Sequence, residues 1–179
     1  MANKALALAA LMVVRQMDKS LREDIPDDIV NNIYGFAGGA VAASLVPVPG
    51  LDVALATADI WMMYVRINSL LGISFSENMM KSIGSAVIAN LTANIGQMAV
   101  GSALKFIPGI GSAIGGALMG MAVFGTTVAA GWIYLKALCN FYENGGDGDL
   151  EATVKDVLKN DKDEIRNIVK EEKKNYQNK

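Results

Sequence analysis

The sequence predicts an all-α protein: a helical bundle of two long apolar, Gly/Ala-rich hairpins, with an N-terminal helix and polar C-terminal helices. Three observations lead there. No run alternates polar and apolar residues at period two with β-branched enrichment, so no strand is predicted. The apolar stretches are long and broken mainly by Pro-Gly pairs, which stop helices. The charges are segregated: of 34, nine lie in residues 1–28, eighteen in 143–179, and only seven in the 114 residues between. That division predicts an apolar helical domain over 1–143 and a polar helical segment over 144–179.

Each element has a local reason. Residues 2–23 are rich in Ala, Leu and Met, good helix formers, and read as a first helix. The apolar run before Val14 looks like a secretory signal, but the Arg15-Gln16-Met17-Asp18-Lys19 that follows offers no small-residue cleavage site. Pro26-Asp27-Asp28 opens a second helix, since Pro suits a first turn and carboxylates favour the positive end of the helix dipole. It runs to about Leu45, where Val46-Pro47-Val48-Pro49-Gly50 breaks it. A third helix covers 52–71 and ends at Gly72; Ser74 or Ser76 caps a fourth, with Glu77 in its first turn. The fourth reaches Phe106 and turns at Pro108-Gly109, and the fifth covers 110–142. After a Gly-rich break at 144–148, residues from Asp149 on read as a polar helical pair interrupted near Asn160.

Composition restricts the chemistry. There is no histidine and one cysteine, Cys139, so Ser-His-Asp and Cys-His catalysis, His-ligated metal and an intramolecular disulfide are excluded. A net charge of −2 supplies no basic field for nucleic acid. Gly109-x-Gly111 with Gly115-Gly116 lacks the strand and spacing of a nucleotide loop. Glu143, Asp147, Asp149 and Glu151 miss the EF-hand ligand order and read as a linker and helix cap. Cys139 reads as a buried small hydrophobe, and no pocket-forming context supports Asp52 and Asp59 as a general acid and base. No catalytic residue, cofactor or metal site is predicted.

The uncharged runs 29–51, 82–104 and 106–135 all reach membrane-spanning length. The last is the best candidate, with Trp132, Tyr134 and Lys136 placed like interfacial anchors. Gly35/Gly39, Gly111/Gly115 and Gly116/Gly120 are each four apart and form flat strips for close helix packing, within this chain or against another. Asp52, Asp59 and Arg66, spaced by seven, form one polar stripe on an otherwise apolar helix. It is read either as a solvated face or as a partner-facing stripe. Pro47, Pro49 and Gly50 and, 59 residues after Pro49, Pro108 with Gly109 mark two apolar hairpin tips placed to touch or enter a bilayer.

Over about residues 40–136 the chain resembles a bacterial domain family of unknown function found in inner-membrane proteins and C-terminal to Era-like GTPase domains. The residues behind this are Val46-Pro47-Val48-Pro49-Gly50-Leu51-Asp52, then Ile60-Trp61-Met62-Met63-Tyr64-Val65-Arg66-Ile67 running to Leu71-Gly72, and Leu104-Lys105-Phe106-Ile107-Pro108-Gly109-Ile110-Gly111-Ser112 with Gly115-Gly116. The resemblance implies a membrane-associated helical module working beside a GTPase; with no GTPase domain here, that GTPase is a separate partner. It carries over no catalytic residues. The expected function is thus a non-enzymatic, membrane-associated module that binds a protein partner or self-associates, at the inner membrane or its cytoplasmic surface. Two alternatives stay open: a soluble bundle that inserts an apolar hairpin, and a cytoplasmic scaffold with no membrane role.

Overall fold

In the computed structural model, Pro26 begins the first described helix: its carbonyl accepts from the Ile29 and Val30 amides at 2.8 and 3.2 Å. The structure describes residues 26–44, 52–99 and 113–177, with side chains over 26–42, 59–91 and 120–177. The predicted N-terminal helix therefore lies outside the described residues, as do Pro47, Pro49, Gly50, Pro108, Gly109 and Gly111.

Six helices follow: α1 (Asp27–Ser44), α2 (Asp52–Leu71), α3 (Glu77–Ala99), α4 (Ala113–Glu143), α5 (Leu150–Asn160) and α6 (Lys162–Gln177). No strand occurs among the described residues, and the fold is all-α.

The helix ends follow from residue chemistry. Gly72, at φ +67°, ends α2: its amide reaches Ser69 O and the Ile73 amide reaches Asn68 O. That is the paired closure of a left-handed glycine cap. The end of α4 repeats it, with Gly145 bonding Tyr142 O and Gly146 bonding Phe141 O. Ser76 caps α3, its Oγ accepting from the Met79 amide at 3.2 Å. Asp149 caps α5 through Oδ1, which accepts from the amides of Glu151 and Ala152, so one of the four predicted acidic loop residues is spent on a helix start. Asp161 joins the last two helices, its amide closing α5 on Val157 O and its carbonyl accepting from Ile165 in α6.

α4 is the axis of the bundle and packs against all five other described helices. Register fixes directions. α1 is antiparallel to α4, since Val41 lies beside Gly120 and Ile33 beside Gly131. α2 runs parallel to α4: Tyr64 Oη donates to Ala130 O and Tyr134 Oη donates to Asn68 Oδ1. α3 is antiparallel to α2, with Trp61 beside Gly84 and Asn68 bonded to Met80. α6 is antiparallel to α4: Asp161 and Glu164 meet Lys136, Val169 meets Gly125 and Tyr176 meets Phe124.

One apolar core runs through all six helices, from Ile29, Tyr64 and Met80 to Ile133, Leu138, Val157 and Val169. The C-terminal helices share in it through their apolar faces: Leu150, Val154, Val157 and Leu158 from α5, Ile165 and Val169 from α6.

Candidate functional site

Two surfaces stand out. The first is an end of the bundle. Because α1 and α3 are antiparallel to α2 and α4, the C-terminal ends of α1 and α3 and the N-terminal ends of α2 and α4 lie together. In sequence, residues 45–51 join the first pair of these ends and 100–112 the second. The four helices that meet there are nearly uncharged toward that end, and α6 brings its charges only as far as the level of Gly120. α1 beyond Asp28, α3 beyond Lys81 and α4 before Lys136 carry no charge, and the first half of α2 contributes only Asp52 and Asp59. The opposite end holds Asp27, Asp28, Glu77, Glu143, Asp147 and Asp149.

The second surface is the outer face of α2. Met62, Val65 and Leu70 are its exposed large hydrophobics, at 45 %, 41 % and 36 %. Arg66 is exposed among them and Asp59 is half-buried beside them. Burial pushes the Asp59 carboxyl above its ordinary value. The predicted stripe thus places Asp59 and Arg66 on this outer face; Asp52 opens α2, and its side chain lies outside the described ones. Neither Asp59 nor Arg66 forms an ion pair among the described residues.

The glycine strips separate. Gly35 and Gly39 are exposed, and a methyl group on either would meet nothing within 4 Å. Gly120 is packed, with Val41 Cγ1 at 3.2 Å from where its Cβ would lie. Gly115 and Gly116 sit in the first turn of α4, and nothing is described of what they face. The tightest approaches fall elsewhere. A Cβ on Gly125 would lie 2.8 Å from Val169 O, and one on Gly131 2.8–2.9 Å from the Ile33 side chain. On α3, Gly84 lets Trp61 approach to 3.2 Å. Gly125 and Gly131 do not share a four-residue spacing, because they are six apart and face different helices, α6 and α1.

Gly120–Glu143 is the one described helical stretch long and apolar enough to cross a membrane, yet 72 % of its apolar window is already buried inside the protein. The reading of its far end as interfacial anchors is corrected by the packing. Tyr134 is fully buried, stacked on Tyr64 and bonded to Asn68. Trp132 is 5 % exposed and its Nε1 finds no acceptor among the described residues, whereas an interfacial indole keeps its N–H wet. Lys136 Nζ lies 4.8 Å from the Trp132 ring centre and pairs with Asp161 at 3.2 Å and Glu164 at 3.1 Å. Desolvation acts against its charge, but those two carboxylates prevail and hold its pKa above the ordinary lysine value. Alongside this stretch runs α6, whose outer side carries exposed Asp163, Lys170, Glu171 and Lys174. At 1.5 Å per residue α6 accompanies α4 for roughly 22 Å, over which a charged helix stands between that side of α4 and its surroundings. Lys-, Glu- and Asp-bearing helices are costly against lipid tails. In this arrangement α4 is the core helix of a bundle.

Cys139 is half-buried among apolar neighbours. Burial, then the charge of Glu143, pushes its thiol up to about 12, which removes it as a nucleophile at neutral pH.

Fold and surface together define an all-α bundle wrapped round one apolar helix, with a charge-poor end and an apolar outer face. No family model matches the chain, and no solved structure matches it. It is similar to a protein named Magnetosome membrane protein 22 from Magnetospirillum gryphiswaldense, with 37 % identity over 122 residues. The match covers 65 % of this chain and 58 % of that relative, so the chain spans less than two thirds of the relative's length.

Proposed function

We propose that the chain is a non-enzymatic, membrane-associated helical module that meets the bilayer end-on and offers the outer face of α2 to a protein partner. The observation that carries the membrane half is the convergence, at one charge-poor end of the bundle, of the four helix ends that the two Pro-Gly segments join in sequence. Those segments bring Val46, Val48, Leu51, Phe106, Ile107 and Ile110, with Lys105 as their only charge. Similarity to a relative named as a membrane protein supports the same reading. The wrapped state of α4 favours contact through the tips over a span by that helix.

The partner half rests on α2. Solvated faces rarely cluster exposed Met, Val and Leu around a charge, and such patches mark contact surfaces. A second copy of the chain and, from the family resemblance, a separate GTPase are the occupants this reading names.

Flotation of the detergent-free protein with liposomes tests the membrane half. The wild type should float, and Ile107→Glu should cut binding by about tenfold or more, since it exchanges an apolar insertion for a charge. Met62→Glu should float like the wild type but lose any self-association seen by sedimentation. A wild type that stays at the bottom of the gradient removes the membrane half, and an Ile107→Glu variant that floats normally removes the tips as the contact.

A further inference from the structure

We infer that the basic flank of α6 is the headgroup-binding element of this membrane contact and selects anionic lipid. This rests on the end-on reading above and adds the lipid class and the residues that read it.

The flank follows from helical spacing. With Ile165, Val169, Glu172 and Tyr176 turned to the bundle, Arg166, Lys170, Lys173 and Lys174 fall along one outer side. Glu164 and Glu171 fall toward the other, while Asp163 stands on the basic side at the start of the helix. Arg166 is paired with Asp163. Lys170, Lys173 and Lys174 form no ion pair among the described residues. Lys170 and Lys174 are exposed, and Lys173 lies half-buried with its stem against Gly125. That burial lowers the Lys173 pKa.

Position along the bundle points to a headgroup. α6 runs toward the charge-poor end, and its last turn reaches the level of Gly120, where Tyr176 lies 3.8 Å from that residue's Cβ direction. α4 continues seven residues further, to Ala113, or about 10 Å. A headgroup layer is roughly 5–7 Å deep on each side of the hydrocarbon. Gly125, which the Lys173 stem touches, lies twelve residues from Ala113, or about 18 Å, so with Lys173 held at the headgroups the end of the bundle passes through them into the hydrocarbon. A sequence that mixes signs, as Glu171-Glu172-Lys173-Lys174 does, reads as neutral until the helix sorts them: Glu172 is buried on Tyr34 and Asn175, and the lysines face out.

The test is vesicle binding by the full chain, comparing pure phosphatidylcholine with vesicles containing phosphatidylserine, at low and high salt. Each surface lysine is worth roughly fivefold in partitioning to an anionic membrane, so K170Q/K173Q/K174Q should lower binding to the anionic vesicles by about 100-fold. Binding to phosphatidylcholine and the thermal midpoint should stay unchanged. High salt should erase the preference in the wild type, and K155Q/K159Q on α5 should leave it intact. Equal wild-type binding to both vesicles, or a preference that survives in the triple variant, overturns the lysine assignment alone. No binding to either vesicle overturns the end-on reading and this inference together. Retention on duplex RNA with no anionic-lipid preference would assign the flank to nucleic acid instead.

Discussion

Tyr64 and Tyr134 stack inside the bundle with ring centres 4.1 Å apart and planes 14° from parallel, and each hydroxyl is spent on a different helix. Tyr64 bonds Ala130 O on α4, while Tyr134 bonds Asn68 Oδ1 on α2, so the pair ties the two parallel helices together twice. Burial pushes both phenols above the ordinary tyrosine value, so neither ionises at physiological pH. Tyr134→Phe leaves the Asn68 carboxamide oxygen buried without its donor. It should cost about 1–3 kcal/mol in denaturant unfolding, against about 1 for Tyr64→Phe, whose acceptor is a helix carbonyl.

The glycines separate into two groups with opposite expected signs. At Gly125 and Gly131 a methyl group meets a backbone oxygen and a buried branched side chain, so Gly125→Ala and Gly131→Ala should destabilise by about 1–3 kcal/mol despite better helix propensity. At Gly35 and Gly38 nothing lies within 4 Å, and alanine should stabilise by up to about 1 kcal/mol each. Thermal melts of the four variants check the division.

Asp59 supplies a pH dependence. Its carboxyl is raised by partial burial, with no cation paired to it among the described residues, so the folded state holds that proton more tightly than the unfolded state. Its effect is to lower stability as pH rises from about 3 through the raised pKa, and the penalty then stays constant. Asp59→Asn should stabilise at pH 7 by roughly 0.5 kcal/mol or less, because the site is largely solvated. At pH 3 the two proteins should melt alike. A larger gap at pH 3 than at pH 7 would contradict the assignment.

Cys139 should resist alkylation. With its thiol pushed up to about 12, roughly one molecule in ten thousand carries a thiolate at pH 8. Iodoacetamide should label it fully in denaturant and negligibly in the native protein, as mass spectrometry would read.

Much of the fold was legible because helix ends are local chemistry. Pro26, Ser76, Gly72, Asp149 and the break after Asn160 each act through residues within one turn of themselves. What neighbours a helix is not local. Trp132, Tyr134 and Lys136 close an apolar stretch in the way an interfacial belt does, and only the fold shows that α2 and the α5–α6 junction cover them. Likewise Gly35 and Gly39 share the spacing of a packing strip, but α1 turns them outward, while Gly125 and Gly131 are made necessary by α6 and α1 arriving from different sides. The candidate surfaces had mixed visibility: the charge-poor tips and the Asp59/Arg66 stripe lie in the sequence, whereas the one-sided lysines of α6 emerge only when Glu172 is seen to point inward.

The antiparallel docking of α6 on α4 also orders the birth of the protein. α6 is the last described helix in chain order, and the groove at Gly125, which Val169 and Lys173 fill, has no cover on that side until α6 docks. A nascent chain stopped before Lys162 presents an apolar stripe to whatever is nearby. Docking of α6, rather than pairing of the earlier helices, is the step at which this surface becomes compatible with water.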